Sequence, residues 1–412
     1  MSVVSDPSRE HRGSSGLRPP SPGGVTGGRV VGVDVARGFA LLGMFAVHIF
    51  DTLHANNTPS LTHRVMAGHA LATFVLLAGV SLTFITRRGR TASRWTDAPT
   101  AAALAVRALV ILGIGLVLNS VLDPDIDVIL PYYGLMFLFA IPLLRLPSRV
   151  LVGIAVGLVV LAPLVVTAGF GIVPFEDQPT FAALVHPLAA LTGLLVTGTY
   201  PVVAYLAFIC AGMVIGRLDL SSKLVAVRLA VGGAVLAVAG WFGSTLVLFR
   251  FGGLQHLRAA AEPGLPPLET QNIIVWEPDR VQSLWWLAER APYTTTPFRM
   301  LHDLGVAMAW LGVCLLLTRL RLGSRLLAPL AAAGAMSLTL YTGQVVILST
   351  SFIEDDPVSL YLVLVYVALS FAMLWRPTGR RGPLEDVVAR ASNRARRSVE
   401  HRQELRRGQP SR

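Results

Sequence analysis

"GVDVARGFALLGMFAVHIF", residues 32–50, has the length and apolarity of a membrane span, yet it carries Asp34, Arg37 and His48. A centrally placed Arg or Asp costs about 2.5 kcal/mol or more on insertion scales, so such groups face protein or a wet cavity. Arg37 and His48 lie three helical turns apart, about 16 Å along the axis at 1.5 Å per residue. Eleven steps of about 100° return to nearly the same face. Asp34, Arg37, Leu41, Met44 or Phe45, and His48 therefore form one row. Each end has a bland reading: an i, i+3 ion pair that seats the helix for Asp34 and Arg37, and a hydrogen-bonded packing residue for His48. Taken as a row, the three favour a functional reading.

Composition fixes the class around that helix. The chain has 412 residues, 53% hydrophobic and 14% charged, with mean hydropathy +0.61, against roughly a quarter charged in soluble domains. The apolar residues come in blocks close to the ~20 needed to cross a bilayer. We expect an all-α, polytopic integral membrane protein. Cys210 and Cys314 sit inside apolar blocks without a spaced partner, which argues against a disulfide framework or a zinc site. Basic residues lie in short loops and the tail, so the net charge of +11 speaks for the membrane surface and against nucleic acid. Lys223 is the single lysine among 35 basic residues, a bias that fits a GC-rich bacterial genome.

Ten spans are expected, near 31–52, 65–86, 103–122, 128–144, 150–172, 201–216, 226–248, 301–318, 327–350 and 358–375. Alternate loops carry "RRGRTASR", "RLPSR", "GRLDLSSKLVAVR" and "TRLRLGSR", and the intervening ones "DPDID", "FEDQ" and "IEDD". Arg and Lys favour the cytoplasmic side, so ten spans with both termini cytoplasmic satisfy every loop. The block 184–198 reads as a re-entrant or interfacial outer helix; if it crossed, the count would be eleven. Residues 1–28 read as a disordered cytoplasmic tail rather than a cleavable signal. Residues 29–375 form the membrane domain, with a long outer loop at 250–300, and 376–412 a basic cytoplasmic tail. That outer loop holds Trp276, Trp285, Trp286 and Tyr293, read either as an aromatic belt or as a lid. The tail contains a basic amphipathic helix suited to anionic inner-leaflet lipids.

Other residues could complete a site. His54 and His63 follow the first span and His69 opens the second; their irregular spacing gives little support for a metal. Ser337, Tyr341 and Gln344 share one face of the ninth span, with Gln344 about as deep as His48. Arg107, near the inner end of the third span, reads as a snorkelling residue.

"RVVGVDVARGFALLGMFAVH" (29–48) followed by "GHALATFVLLAGVSLTFITRR" (68–88) resembles the opening of the heparan-α-glucosaminide N-acetyltransferase-like catalytic domain. The chain is still more similar to the YeiB-like bacterial membrane proteins, through "ILPYYGLMFLFAIPLL", "TGTYPVVAYLAFICAGMVIGRLDL", "GAMSLTLYTGQ" and "GPLE". The Arg37-x10-His48 spacing also resembles the first-span motif of acyltransferase-3 proteins. That likeness implies that Arg37 and His48 serve transfer of an acyl group from cytoplasmic acyl-CoA to an external sugar. The lysosomal N-acetyltransferase instead implies a histidine between the first two spans, here His63 or His54. This chain has His69 where the YeiB-like pattern often has Arg, and Tyr293 and Gln344 where some relatives have His.

These readings give an expected multi-pass protein of the bacterial plasma membrane. Its expected activity is transfer of an acyl group, acetyl above all, from acyl-CoA to a hydroxyl or amine of an extracytoplasmic glycan or small acceptor. His48, His63 and Arg37 are the expected catalytic residues, with Asp34, His69, Gln344 and Tyr341 binding substrate. No metal and no cofactor beyond the acyl-CoA donor are expected. Intramembrane charges also mark transport paths, so a transporter or flippase is the rival reading, although no internal repeat of the kind many transporters show is evident. A membrane scaffold or sensor would leave the row unexplained.

Overall fold

The computed structural model describes residues 25–26, 29–54, 58–87, 98–122, 126–169, 178–260, 284–350 and 356–408. The N-terminal tail, Trp276 in the outer loop, and most of the charged loops "RRGRTASR", "DPDID", "FEDQ" and "IEDD" lie outside the described residues. Two-residue strands, Val25–Thr26 and Arg29–Val30, pair antiparallel ahead of the first helix. The remainder is helix and connecting loop. In chain order the first helices are α1 Val31–Ile49, α2 Leu61–Met66, α3 His69–Arg87, α4 Ala98–Leu122, α5 Leu130–Leu143 and α6 Ser148–Gly169. Next come α7 Pro187–Thr192, α8 Val202–Gly216, α9 Lys223–Thr245, α10 Gly253–Ala260 and α11 Pro297–Leu317. The last are α12 Arg321–Leu326, α13 Ala328–Ala335, α14 Ser337–Leu348, α15 Pro357–Trp375 and α16 Pro383–Gly408.

Seven stretches are long and apolar enough to cross a membrane, and nine if each of two bent pairs counts as one span. The seven are α1, α2 with α3, α4, α6, α9, α11 and α15. α5 is apolar but has only 14 residues, about 21 Å at 1.5 Å per residue. The ten expected spans all fall on these helices, with α5 as the tenth. The block 184–198 forms α7 and a π-helical turn, Gly193–Thr197, that joins α8 across a 57° bend. Alone it measures roughly 16 Å, about half the hydrocarbon core, so it does not cross by itself. This is the geometry of a broken span or re-entrant segment.

Small residues let the helices approach closely, as van der Waals-driven packing in lipid requires. Between α9 and α11, a Cβ on Gly305 would sit 2.3 Å from Ala237 N, and one on Gly233 2.3 Å from Ala309 N. Between α1 and α13, a Cβ on Gly334 would sit 1.9 Å from Asp34 O. That contact pins α13 against the inner half of α1. Exposed apolar side chains cover the outward faces of α6 (Val156, Val160, Leu161), α9 (Val231, Val235, Val238) and α15 (Leu362, Val363, Tyr366). A continuous apolar exterior on that scale is foreign to soluble monomers. The protein is a multi-pass membrane protein.

Short caps set the helix starts near the outer mouth. Ser60 Oγ accepts from His63 N at 3.1 Å to start α2. Thr296 Oγ1 accepts from Arg299 N at 3.3 Å, with Pro297 at the first position of α11. Gly68, between α2 and α3, has φ +77°, and a Cβ there would sit 2.3 Å from Arg299 Nη2, so the turn admits only glycine without strain.

The basic tail forms α16, as expected, but its first turns are docked on protein. Val388 and Ala389 are buried, and the helix packs along α4 and against α14. Glu385 accepts from Leu338 N at 2.8 Å, Thr339 N at 3.2 Å and Thr339 Oγ1 at 2.5 Å. It thereby caps α14, which starts at an 82° break after α13.

Candidate active site

The row on α1 faces protein along its length. Asp34 is buried, and Leu41, Met44 and Phe45 lie in the core against α3, α13 and α14. At its inner end Arg37 donates to Ser81 Oγ at 2.5 Å and reaches Leu77 O at 3.5 Å, both on α3. Its ion pair with Asp34 is looser, 3.8 Å. The stronger anchors are therefore on the neighbouring helix. Leu41 is 0% and Phe45 1% exposed, so apolar packing closes the middle of the row. Arg37 and His48 therefore stand at opposite ends of a packed apolar stretch of α1.

At the outer end, His48 meets Gln344 of α14. The Nδ1 atom lies 3.1 Å from Gln344 Nε2 and 3.4 Å from Oε1. The Tyr341 ring stands edge-on to the imidazole at 6.1 Å between centroids. Positions 341, 344 and 48 therefore converge, although nearly 300 residues separate the two helices. Tyr341 Oη accepts from Ile129 N at 3.3 Å, which leaves its own proton free to donate. A narrow cleft opens here between His48, Asp127, Tyr200, Tyr293 and Tyr341, with Met44, Val47, Ala70, Leu71 and Ile129 as its apolar wall. It has room for about one water molecule.

Asp127 and Tyr200 escaped the sequence reading. Asp127 belongs to "DPDID", which registered only as a topology signal. Its Oδ1 accepts from Gln178 Nε2 at 3.0 Å and Thr199 Oγ1 at 3.2 Å. These bonds orient a carboxylate in the same cleft as the imidazole.

The other expected residues lie elsewhere. His63 is buried on α2 and His69 opens α3; neither side chain lines the His48 cleft. His54 is exposed in the loop before α2. His69 joins a second polar cluster that the sequence reading missed. Arg299 Nε donates to Asp303 Oδ2 at 2.9 Å, and Nη2 stands in ion-pair contact with Oδ1, also at 2.9 Å. His69 Nε2 lies 3.4 Å from Asp303 Oδ1. Arg299 also donates to Ala67 O at 2.6 Å and Arg290 O at 3.1 Å. The guanidinium is spent on tying α11 to the α2–α3 turn and the outer segment, the work of a clamp. A signal existed: Arg299, His302 and Asp303 crowd the first turns of an otherwise apolar helix. Among the described residues, no three of His, Cys, Asp and Glu come together as metal ligands.

Of the outer aromatics, Trp285 stacks on His256 at 4.8 Å and Trp286 is buried. Tyr293 turns into the cleft. Tyr293 and Thr295 both have positive φ, 66° and 53°, unusual for any side chain and most of all for a β-branched one. Burial pushes the Tyr293 phenol up to about 12, so it stays protonated. Glu289 is fully buried; its Oε1 accepts from Arg290 N at 2.7 Å and Ala291 N at 3.2 Å. Burial raises its carboxyl to about 7, against the pull of those two bonds. The segment 284–296 thus folds inward, with Tyr293 in the wall of the cleft.

Two families match parts of the chain. Residues 273–394 match a family described as "Protein of unknown function (DUF418)". No curated protein matches the chain. Residues 29–249, more than half of the sequence, match the family described as "Heparan-alpha-glucosaminide N-acetyltransferase, catalytic". α1, with Arg37 and His48, lies inside that match, and the chain belongs to this family.

Proposed function

We propose that the protein is a ten-span acyltransferase of the bacterial plasma membrane with both termini cytoplasmic. It moves an acyl group, acetyl above all, from cytoplasmic acyl-CoA to a hydroxyl or amine of an extracytoplasmic glycan or small acceptor. The observation that carries this reading is the His48–Gln344 pair. It sits in a cleft shared with Asp127 and Tyr341, on the helix at the head of the family match.

In this proposal the acceptor enters from the outer side, and Asp127 holds one of its polar hydrogens. Gln344 holds Nδ1 of His48 and leaves Nε2 for the cleft. The acceptor oxygen or nitrogen attacks the thioester carbonyl carbon as His48 takes its proton. Tyr341 donates to the oxygen that becomes negative. The C–S bond then breaks, and the departing thiolate receives the proton from the imidazolium. Arg37 holds a phosphate of the donor at the inner end, and Asp34 orients it. His63 is secondary in this scheme because its side chain is absent from the cleft wall. The acyl chain reaches His48 only after Met44 and Phe45 move aside and the 284–296 lid lifts.

The test follows label from acyl-labelled CoA into envelope glycans and lipids in membranes carrying wild type, His48→Ala, His63→Ala or Arg37→Ala. We expect loss with His48→Ala and Arg37→Ala and retention with His63→Ala. Equal labelling in every variant would remove the assignment. Labelling lost only with His63→Ala would transfer the catalytic role to that residue.

A further inference from the structure

Three phenols wall the cleft beside His48, and they divide by what becomes of their protons. Tyr200 donates to Asp127 O at 3.5 Å, so toward the cleft it presents an oxygen that accepts. Tyr341 accepts from Ile129 N at 3.3 Å and keeps its proton. No described residue accepts the proton of Tyr293, and the Gly68 N–H faces its oxygen. The cleft therefore has an accepting side, Asp127 and Tyr200, and a donating side, Tyr341 and Tyr293.

Tyr293 is held there against strain. Its φ of 66° and that of Thr295, 53°, lie in the left-handed region, where ordinary side chains persist only if the surroundings over-determine them. Bonds on both sides do so. Before Tyr293, Ser244 Oγ donates to Ala288 O at 2.8 Å and Arg299 Nη1 to Arg290 O at 3.1 Å. Glu289 Oε1 takes the amides of Arg290 and Ala291. After it, Thr294 Oγ1 donates to Ala291 O at 2.8 Å and Thr296 Oγ1 to Glu289 O. Strain fixed in this way collects at active sites and ligand clamps.

The cleft has room for about one water molecule, so an oxygen atom seated in it touches the groups that wall it. Met44, Val47 and Leu71 line the rest, and donors in so dry a setting stabilise developing charge far better than in water. We propose that Tyr293 is a second oxyanion donor, acting with Tyr341 on the carbonyl oxygen of the acyl donor. The assignment rests on the acyl-transfer reading and adds a residue that it leaves out. As the acceptor nitrogen or oxygen bonds to the thioester carbon, the carbonyl π pair moves onto oxygen, and both phenols donate to it. When the pair returns, the C–S bond breaks, and the thiolate leaves with the proton that His48 took from the acceptor. The outer segment must be in place at that moment, so its closure completes the donor pair.

The experiment uses membranes carrying the full chain and labelled acetyl-CoA. Initial rates of label entering envelope material are read against acetyl-CoA concentration, per mole of folded chain recovered in detergent. Tyr293→Phe keeps the ring and loses the O–H. It should lower kcat by about a hundredfold and leave KM for acetyl-CoA unchanged, the signature of a contact made only in the transition state. Tyr341→Phe should act on the same parameter. Tyr366→Phe, on the exposed face of α15, should change nothing. The thermal midpoint of Tyr293→Phe should match that of wild type, since backbone and ring are kept.

Label transfer that needs His48 but runs at the wild-type rate in Tyr293→Phe would overturn the donor role and leave the transfer reading standing. A raised KM with kcat kept would make Tyr293 a binding residue and overturn it equally. So would a lowered midpoint with a wild-type rate per folded chain, which is the result for a residue that only packs. Absence of label transfer in wild type would remove the transfer reading, and the donor role with it.

Discussion

Gln344 offers His48 both a donor and an acceptor, and which one it presents sets the tautomer. With Oε1 accepting from Nδ1–H, Nε2 carries the lone pair that general-base work requires. Gln344→Glu would hold that tautomer and should preserve label transfer. Gln344→Leu removes the partner and should lower kcat about tenfold or more, the rate equivalent of one buried hydrogen bond, with KM little changed. Steady-state kinetics of the two variants check the pair. At position 334 the constraint is steric: Gly334→Ala would press a methyl on the Asp34 carbonyl. It should destabilise the fold by about 1–3 kcal/mol, read as a lowered thermal midpoint in detergent. Arg37, His48, Tyr341 and Gln344 were legible from the sequence because each breaks an apolar helical face at helical spacing. Asp127 and Arg107 were legible as charges but not in their surroundings. Asp127 is held by Gln178 and Thr199 and Arg107 lies over the Phe137 ring, and periodicity within one helix carries no information on such contacts. His63 was nominated by resemblance and His69 by its place at the outer mouth, and neither side chain lines the His48 cleft.

Among the elements, the 284–296 lid has the least regular backbone and the most specific chemistry. Folding the lid holds Glu289 protonated, with a carboxyl near 7 against an ordinary value of 4.5. A carboxyl raised on folding contributes its stability below the ordinary value and loses it as pH rises through the folded one. The shift corresponds to about 3 kcal/mol. Hydrogen exchange of the 284–296 amides, corrected for intrinsic rates, should show protection falling between about pH 5 and pH 8. Glu289→Gln should flatten that dependence. The Arg299–Asp303 clamp holds the same segment from the other side. Asp303→Asn leaves a buried guanidinium half-paired and should cost about 3–5 kcal/mol, seen as early proteolysis of the outer segment. The helices themselves were readable from apolar blocks and caps such as Thr296 and Pro297. For the outer loop the sequence left belt and lid open, because positive φ at Tyr293 and Thr295 answers to contacts made from outside the segment.

Across the whole molecule, loop charges and helix positions agree on which stretches are apolar enough to cross, while α5 and the two bent pairs govern the count. A fluorescent reporter active only in the cytoplasm, fused after Arg412, should be bright in a bacterial host under ten spans and dark under eleven. The two family segments meet at both ends of the bundle: Tyr293 of the second shares a cleft with His48 of the first, and its terminal helix packs along α4. Glu385 bears on this in a further way. It ties off the amides at the head of α14, the helix that carries Tyr341 and Gln344, yet it is translated after every membrane-crossing segment. Until the ribosome passes that codon, the nascent chain holds α14 with two loose amides at its head. A chain cut short before Glu385 would leave the translocon complete in its spans and unfinished in its site.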